Sequence, residues 1–211
     1  TFSSRGLGDV YKRQIDSKGI LYVVQSVPAP SSLFAISTTG NNAGSILWKF
    51  QTKEGEAGLS YSSPAIDIND NVYIFTGSDN YADPSYCNMF KISNSSTNTP
   101  VLESHLRLGP FVMDKQSSSY INSSSNVFSY PKDFITSPII DNDGSVIFTH
   151  GYQIVKLNSE NTTIDWSYNL LDVSNSFNLG LSDINVSYIP TSPVVSLDGN
   201  IYVSAANKVL A

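Results

Sequence analysis

One eleven-residue phrase, used four times, constrains this chain more than any other feature. Its clearest copy runs Pro138-Ile139-Ile140-Asp141-Asn142-Asp143-Gly144-Ser145-Val146-Ile147-Phe148, behind Thr136-Ser137. Pro193-Val194-Val195-Ser196-Leu197-Asp198-Gly199-Asn200-Ile201-Tyr202-Val203 repeats it, and so does Pro64-Ala65-Ile66-Asp67-Ile68-Asn69-Asp70-Asn71-Val72-Tyr73-Ile74. The copy nearest the start, Gln14-Ile15-Asp16-Ser17-Lys18-Gly19-Ile20-Leu21-Tyr22-Val23, aligns without a gap but carries Arg13 where the others have proline. Each copy reads as a short apolar strand, a tight polar turn and a second apolar strand. Pro64, Pro138 and Pro193 stand 74 and 55 residues apart, and Arg13 lies 51 before Pro64. A repeat of this kind fixes architecture and leaves function open.

Composition excludes several functions. Charged residues make up 14% of the chain, against roughly 25% in an average soluble protein, and Ser, Thr and Asn take their place. That balance suits turn-rich β proteins, where short polar side chains bond their own backbone. A net charge of −6 with scattered Lys and Arg speaks against nucleic acid, since phosphate tracking needs clustered cations. No run approaches the roughly 18 apolar residues of a membrane span. A single cysteine, Cys87, excludes an intrachain disulfide and reads as a small half-buried residue starting a strand.

Taken in order, residues 1–14 stand outside the pattern and read as a non-native extension, because they displace the proline-led opening of the first repeat. Leu21–Val24, Leu33–Ile36 and Ile46–Phe50 read as strands of the first repeat, and Val72–Phe75 and Met89–Ile92 as strands of the second. Residues 107–133, rich in Ser, Tyr and Asn, read as a long insertion. Val146–Thr149, Gln153–Leu157 and Ile164–Tyr168 belong to the third repeat, and Lys208 opens a third strand of the fourth. The Asp143-Gly144 and Asp198-Gly199 pairs suit tight hairpin turns.

The polar constellations read more simply as structure than as chemistry. Asp141-Asn142-Asp143-Gly144 and Asp67-Ile68-Asn69-Asp70-Asn71 invite a calcium reading, yet they recur at one hairpin position and neither supplies the closing Glu of an EF-hand loop. His105 and His150 show no metal-ligand spacing. Sequons at Asn94, Asn122, Asn161 and Asn185 are no more than this composition produces by chance. Neither a nucleophile elbow nor a phosphate loop is present. Trp48 and Trp166 read as packing residues between repeats. No catalytic, cofactor-binding or metal-binding residue is assigned.

The Ser-Pro, paired apolar residues, Asp-Gly turn and Ile/Val-Tyr-Val strand resemble the PQQ-like repeat, the blade unit of quinoprotein dehydrogenases and of outer-membrane-assembly lipoproteins. The family's blade-docking Trp falls at Trp166 with the right spacing after Lys156, Asn158, Asn161 and Thr162; Ala35, Thr39, Gly40 and Trp48 match in residue type. The resemblance implies an all-β fold over 15–211, a β-propeller fragment with three complete four-stranded blades and part of a fourth. It further implies a non-enzymatic binding or scaffolding segment presenting loops to a protein partner, in a periplasmic or secreted setting. The alternative is a piece of a pyrroloquinoline-quinone-dependent dehydrogenase. With one cysteine, the adjacent-cysteine ring of those enzymes cannot form, so no cofactor is expected.

Overall fold

The computed structural model describes residues 12–25, 31–52, 62–77, 86–94, 99–111, 135–151, 153–169, 192–205 and 208–210. The repeated phrase folds the same way each time. Its turn places two hydrogen bonds between residues numbered from the first polar position: the fourth residue's amide donates to the first carbonyl, and the first amide donates to the fifth carbonyl. Gly19–Asp16, Asp70–Asp67, Gly144–Asp141 and Gly199–Ser196 make the former bond at 3.0–3.2 Å. Position four is left-handed in every copy, with φ of 77°, 61°, 85° and 84° at Gly19, Asp70, Gly144 and Gly199. This is a type I turn closed by a left-handed residue, for which glycine is the unstrained choice.

Four antiparallel meanders grow from these turns. The first sheet holds β1 (Lys12–Ile15), β2 (Ile20–Gln25), β3 (Ser32–Ser37) and β4 (Ile46–Gln51), with a short 3-10 turn at Gly40–Asn42. The second holds β5 (Ala65–Ile66), β6 (Val72–Gly77), β7 (Cys87–Asn94) and β8 (Pro100–Leu108). The third holds β9 (Ile139–Ile140), β10 (Val146–His150), β11 (Gln153–Leu157) and β12 (Ile164–Asn169). Among the described residues the fourth has three strands, β13 (Val194–Val195), β14 (Ile201–Ala205) and β15 (Lys208–Leu210). A bulge recurs between third and fourth strands, after Ala35, Lys91 and Lys156. It puts Trp48, Ser104 and Trp166 in equivalent places.

The sheets pack face to face in chain order, and the packing has a direction. Side chains alternate across a strand, so the sixth and eighth residues of each phrase point to one face and the seventh and ninth to the other. Tyr22 and Val24 pack with Leu33, Ala35 and Trp48 against Val72, Ile74, Phe90 and Ile92 of the second sheet. Tyr73, Phe75 and Met89 then leave the opposite face of that sheet to meet Val146, Phe148, Val155 and Leu157 of the third. Ile147 and Ile154 continue the pattern towards Ile201 and Val203 of the fourth. At the middle joint Phe75 and Phe148 meet as tilted rings with centroids 4.5 Å apart.

The propeller expectation is corrected here. The four sheets remain separate, and none closes into a barrel or into the ring of blades that a propeller requires. The PQQ-like assignment falls with it, as do the two functions drawn from it, the loop-presenting propeller scaffold and the quinone-dehydrogenase fragment. The physical reason lies in what the repeated phrase encodes. It specifies a hairpin and the relation of one sheet to the next, both nearest-neighbour properties. Closure is a relation between the first sheet and the last, and no residue of the phrase carries it. Of the stretch 1–14, residues 1–11 lie outside the described residues, and 12–14 form β1 together with Ile15. Most of the 107–133 stretch also lies outside them; its first residues finish β8 and place Phe111 in the core.

Candidate functional site

The polar residues that invited a chemical reading are taken up by the turns. Asp16 accepts from the amides of Lys18 and Ile20 at 2.9 and 2.8 Å and from the Tyr22 hydroxyl at 3.0 Å. Asp67 does the same with Asn69 and Asn71, both at 2.9 Å, and with Tyr73 at 3.1 Å. The third copy has Ile147 in place of that tyrosine, and Lys156 takes the Asp141 carboxylate instead, at 2.9 Å. Ser196 keeps the pattern in the fourth copy by accepting from the Asn200 amide. These carboxylates serve as turn acceptors. Burial and the neighbouring Asp67 push the Tyr73 hydroxyl well above the ordinary range, so it stays a donor. The hydrogen bond from Lys18 holds Asp70 below the usual carboxylate range.

Neighbouring repeats are tied at corresponding places. The Ser63 amide donates to Ser137 Oγ at 2.8 Å, and the Ser137 amide donates to Ser192 Oγ at 3.1 Å. All three residues precede the recurring proline, so the Ser-Pro signature is a rung between sheets. Ser17 and Lys18 reach the Asp70 carboxylate, joining the first two turns. Asn161, left-handed at φ 56° and buried, donates to Tyr73 Oη at 3.3 Å and to the Gly144 carbonyl at 3.1 Å. It also accepts from the Val146 amide at 3.2 Å. A sequon residue so committed has no side-chain nitrogen free for a glycan. Asn122 and Asn185 lie outside the described residues.

The remaining candidates are dispersed. Cys87 is buried in the core between the second and third sheets. His105 stacks on Phe90, centroids 4.4 Å apart, and its Nε2 bonds Asn88 Oδ1 at 3.1 Å. His150 is buried against Phe111, and neither ring nitrogen has a hydrogen-bond partner among the described residues. Burial holds its imidazole neutral, pulling the pKa from 6.5 to about 4 against a smaller opposing contribution from the Tyr86 backbone. Trp48 is buried against Tyr22 between the first two sheets, whereas Trp166 is partly exposed. No group of three or more His, Cys, Asp or Glu able to hold a metal ion occurs among the described residues.

What the structure does assemble is an apolar surface on the outer face of the first sheet. Strand pairing aligns Ile15, Leu21, Ile36 and Ile46 in one row across all four strands. Val23 and Phe34 form a second row, with Lys49 capping the Phe34 ring at 5.5 Å. The β2 sequence Ile-Leu-Tyr-Val-Val is apolar on both faces, as β6 and β10 are at their starts. Yet β6 and β10 are buried throughout, while β2 alternates between buried and half-buried. Leu21 and Val23 correspond to Val72 and Ile74, which receive the preceding sheet. The sequence therefore writes a strand covered on two sides, and the fold covers one. Sequence reading missed this face, although the unbroken apolar run of β2 was its signal.

The chain matches no protein-family model and no curated protein. No helix among the described residues is long and apolar enough to cross a membrane. Fold and surface together define a class: an all-β stack of separate antiparallel sheets, the first of which carries an apolar face that no other sheet among the described residues covers.

Proposed function

We propose that this chain acts by protein association rather than catalysis, and that the outer face of the first sheet is its docking surface. The partner offers an apolar, sheet-like protein surface of the kind the other sheets already accept. The observation that carries the reading is the row Ile15–Leu21–Ile36–Ile46, left open on a sheet whose counterparts are covered at this same face. Ile15 and Ile46 are 60% and 59% exposed, which leaves area to bury. Burying such area is the main driving force of association, at roughly 25 cal/mol per Å². The turns support this reading, because the Asp16 and Asp67 oxygens accept from backbone amides and tyrosines and Asp141 is held by Lys156.

A photo-crosslinking benzoyl-phenylalanine at position 34 tests the reading in cells. The expected result is a discrete covalent protein adduct, reduced by excess unlabelled chain and lost when Ile15→Glu and Ile46→Glu are added. If no discrete adduct forms, or if it survives both substitutions, the face is not a docking surface.

A further inference from the structure

The second sheet carries a cation that the fold positions and leaves without an acceptor. Strand pairing sets Arg107 opposite Asn88 and His105 opposite Phe90, so these four side chains share one face of β7 and β8. Asn88 is buried, and its Nδ2 donates to the Gly77 carbonyl at 3.2 Å. That turns its Oδ1 towards His105, whose Nε2 donates to it at 3.1 Å. The His105 ring lies flat on Phe90, 5° from parallel. Just before β7, the half-buried Tyr86 holds the Arg107 guanidinium 4.2 Å from its ring centroid. Arg107 itself is exposed. The one oxygen on the side chain opposite it is taken by His105. Glu103, the acidic residue of β8, accepts from the Ser93 hydroxyl. Among the described residues the ion pairs join Lys18 to Asp70 and Lys156 to Asp141 and Asp143, and Arg107 takes part in none.

We infer that Tyr86 and Arg107 form a binding site for a carboxylate ligand, independent of the docking surface on the first sheet. Stacking on the ring occupies the flat face of the guanidinium and leaves its N–H groups pointing outward in the plane. A carboxylate meets such an edge with two parallel charge-assisted hydrogen bonds. Tyr86 fixes the plane of the fork, and the Gly77–Asn88–His105 chain holds the strands beneath it. Lys49 and Lys91 also lie over rings, each at 5.5 Å, but an ammonium offers no fork. One cation on a chain of net charge −6 balances the single charge of a carboxylate and not the larger charge of a phosphate.

Titrating the full nitrogen-15-labelled chain with sodium acetate at pH 7 tests this, with acetate replacing chloride at constant ionic strength. The backbone amide signals of Tyr86, Asn88 and Arg107 should move saturably. Arg107→Gln should abolish the saturable change. Arg107→Lys keeps the charge and loses one of the two hydrogen bonds, so it should bind acetate about tenfold more weakly. Tyr86→Leu frees the guanidinium plane and should weaken binding as well. Arg107 is exposed, and circular dichroism checks that its variants fold. The absence of a saturable shift overturns the inference, as does equal affinity in Arg107→Lys. Tighter binding of inorganic phosphate than of acetate overturns the assignment to a carboxylate.

Discussion

His150 offers a sharp test of how the core between the second and third sheets is built. Its imidazole is buried against Phe111 beside the Ile135 bridge, and burial moves its pKa from 6.5 down to about 4. A group whose folded pKa lies below its unfolded value binds more protons when unfolded. Its stabilising effect is therefore complete above pH 6.5 and is lost as the pH falls towards 4. Integrating between these values gives a loss of about 2 kcal/mol from pH 7 to pH 5, and about 3 kcal/mol by pH 4. The lowered Asp70 and Asp143 carboxylates act below that window. Replacing the ring by phenylalanine removes the titration while keeping an aromatic against Phe111. Urea unfolding at pH 7 and pH 5 should show wild type losing about 2 kcal/mol more than His150→Phe between the two conditions. Equal losses in the two proteins would falsify the claim that this histidine is held buried and neutral.

The ties between repeats give three further expectations. Tyr73→Phe should cost about 1–3 kcal/mol by denaturant unfolding, because it strips a partner from both Asp67 and the buried Asn161. Asn161→Ala should destabilise by about 2–3 kcal/mol through three lost hydrogen bonds and a left-handed backbone. Asn161→Gly relieves the backbone part and should be the milder of the two on thermal melting. Ser137→Ala leaves the Ser63 amide without its acceptor and should cost about 1 kcal/mol, seen also as faster hydrogen exchange at that amide.

Much of the fold was legible because the information is local. Apolar runs such as Val72–Phe75 and Val146–Thr149 marked the strands, and the Asp-Gly turns marked the hairpins, since both signals act within a few residues. Two features were not legible. Asn161 read as an incidental sequon, because its value depends on contacts with Tyr73, 88 residues away. The arrangement of the sheets read as a ring, because a repeat states how each unit meets its neighbour and says nothing about how the ends meet. The apolar outer face of the first sheet lay between these cases. Leu21 and Val23 read as strand residues of the first repeat from their apolar run, and the structure leaves them half-buried.

The central claim is that the four sheets stack in chain order, so that the first and the fourth do not meet. The distance between the first sheet and the fourth tests it most directly. Spin labels at Lys49→Cys and Val209→Cys, in a Cys87→Ala background and diluted with unlabelled chain, report that distance within one molecule by pulsed electron resonance. Sheets packed face to face lie about 10 Å apart, so three successive joints predict a separation of roughly 30 Å. A separation near a single sheet spacing would mean that the first and fourth sheets cover each other, and would contradict both the open stack and the docking face built on it.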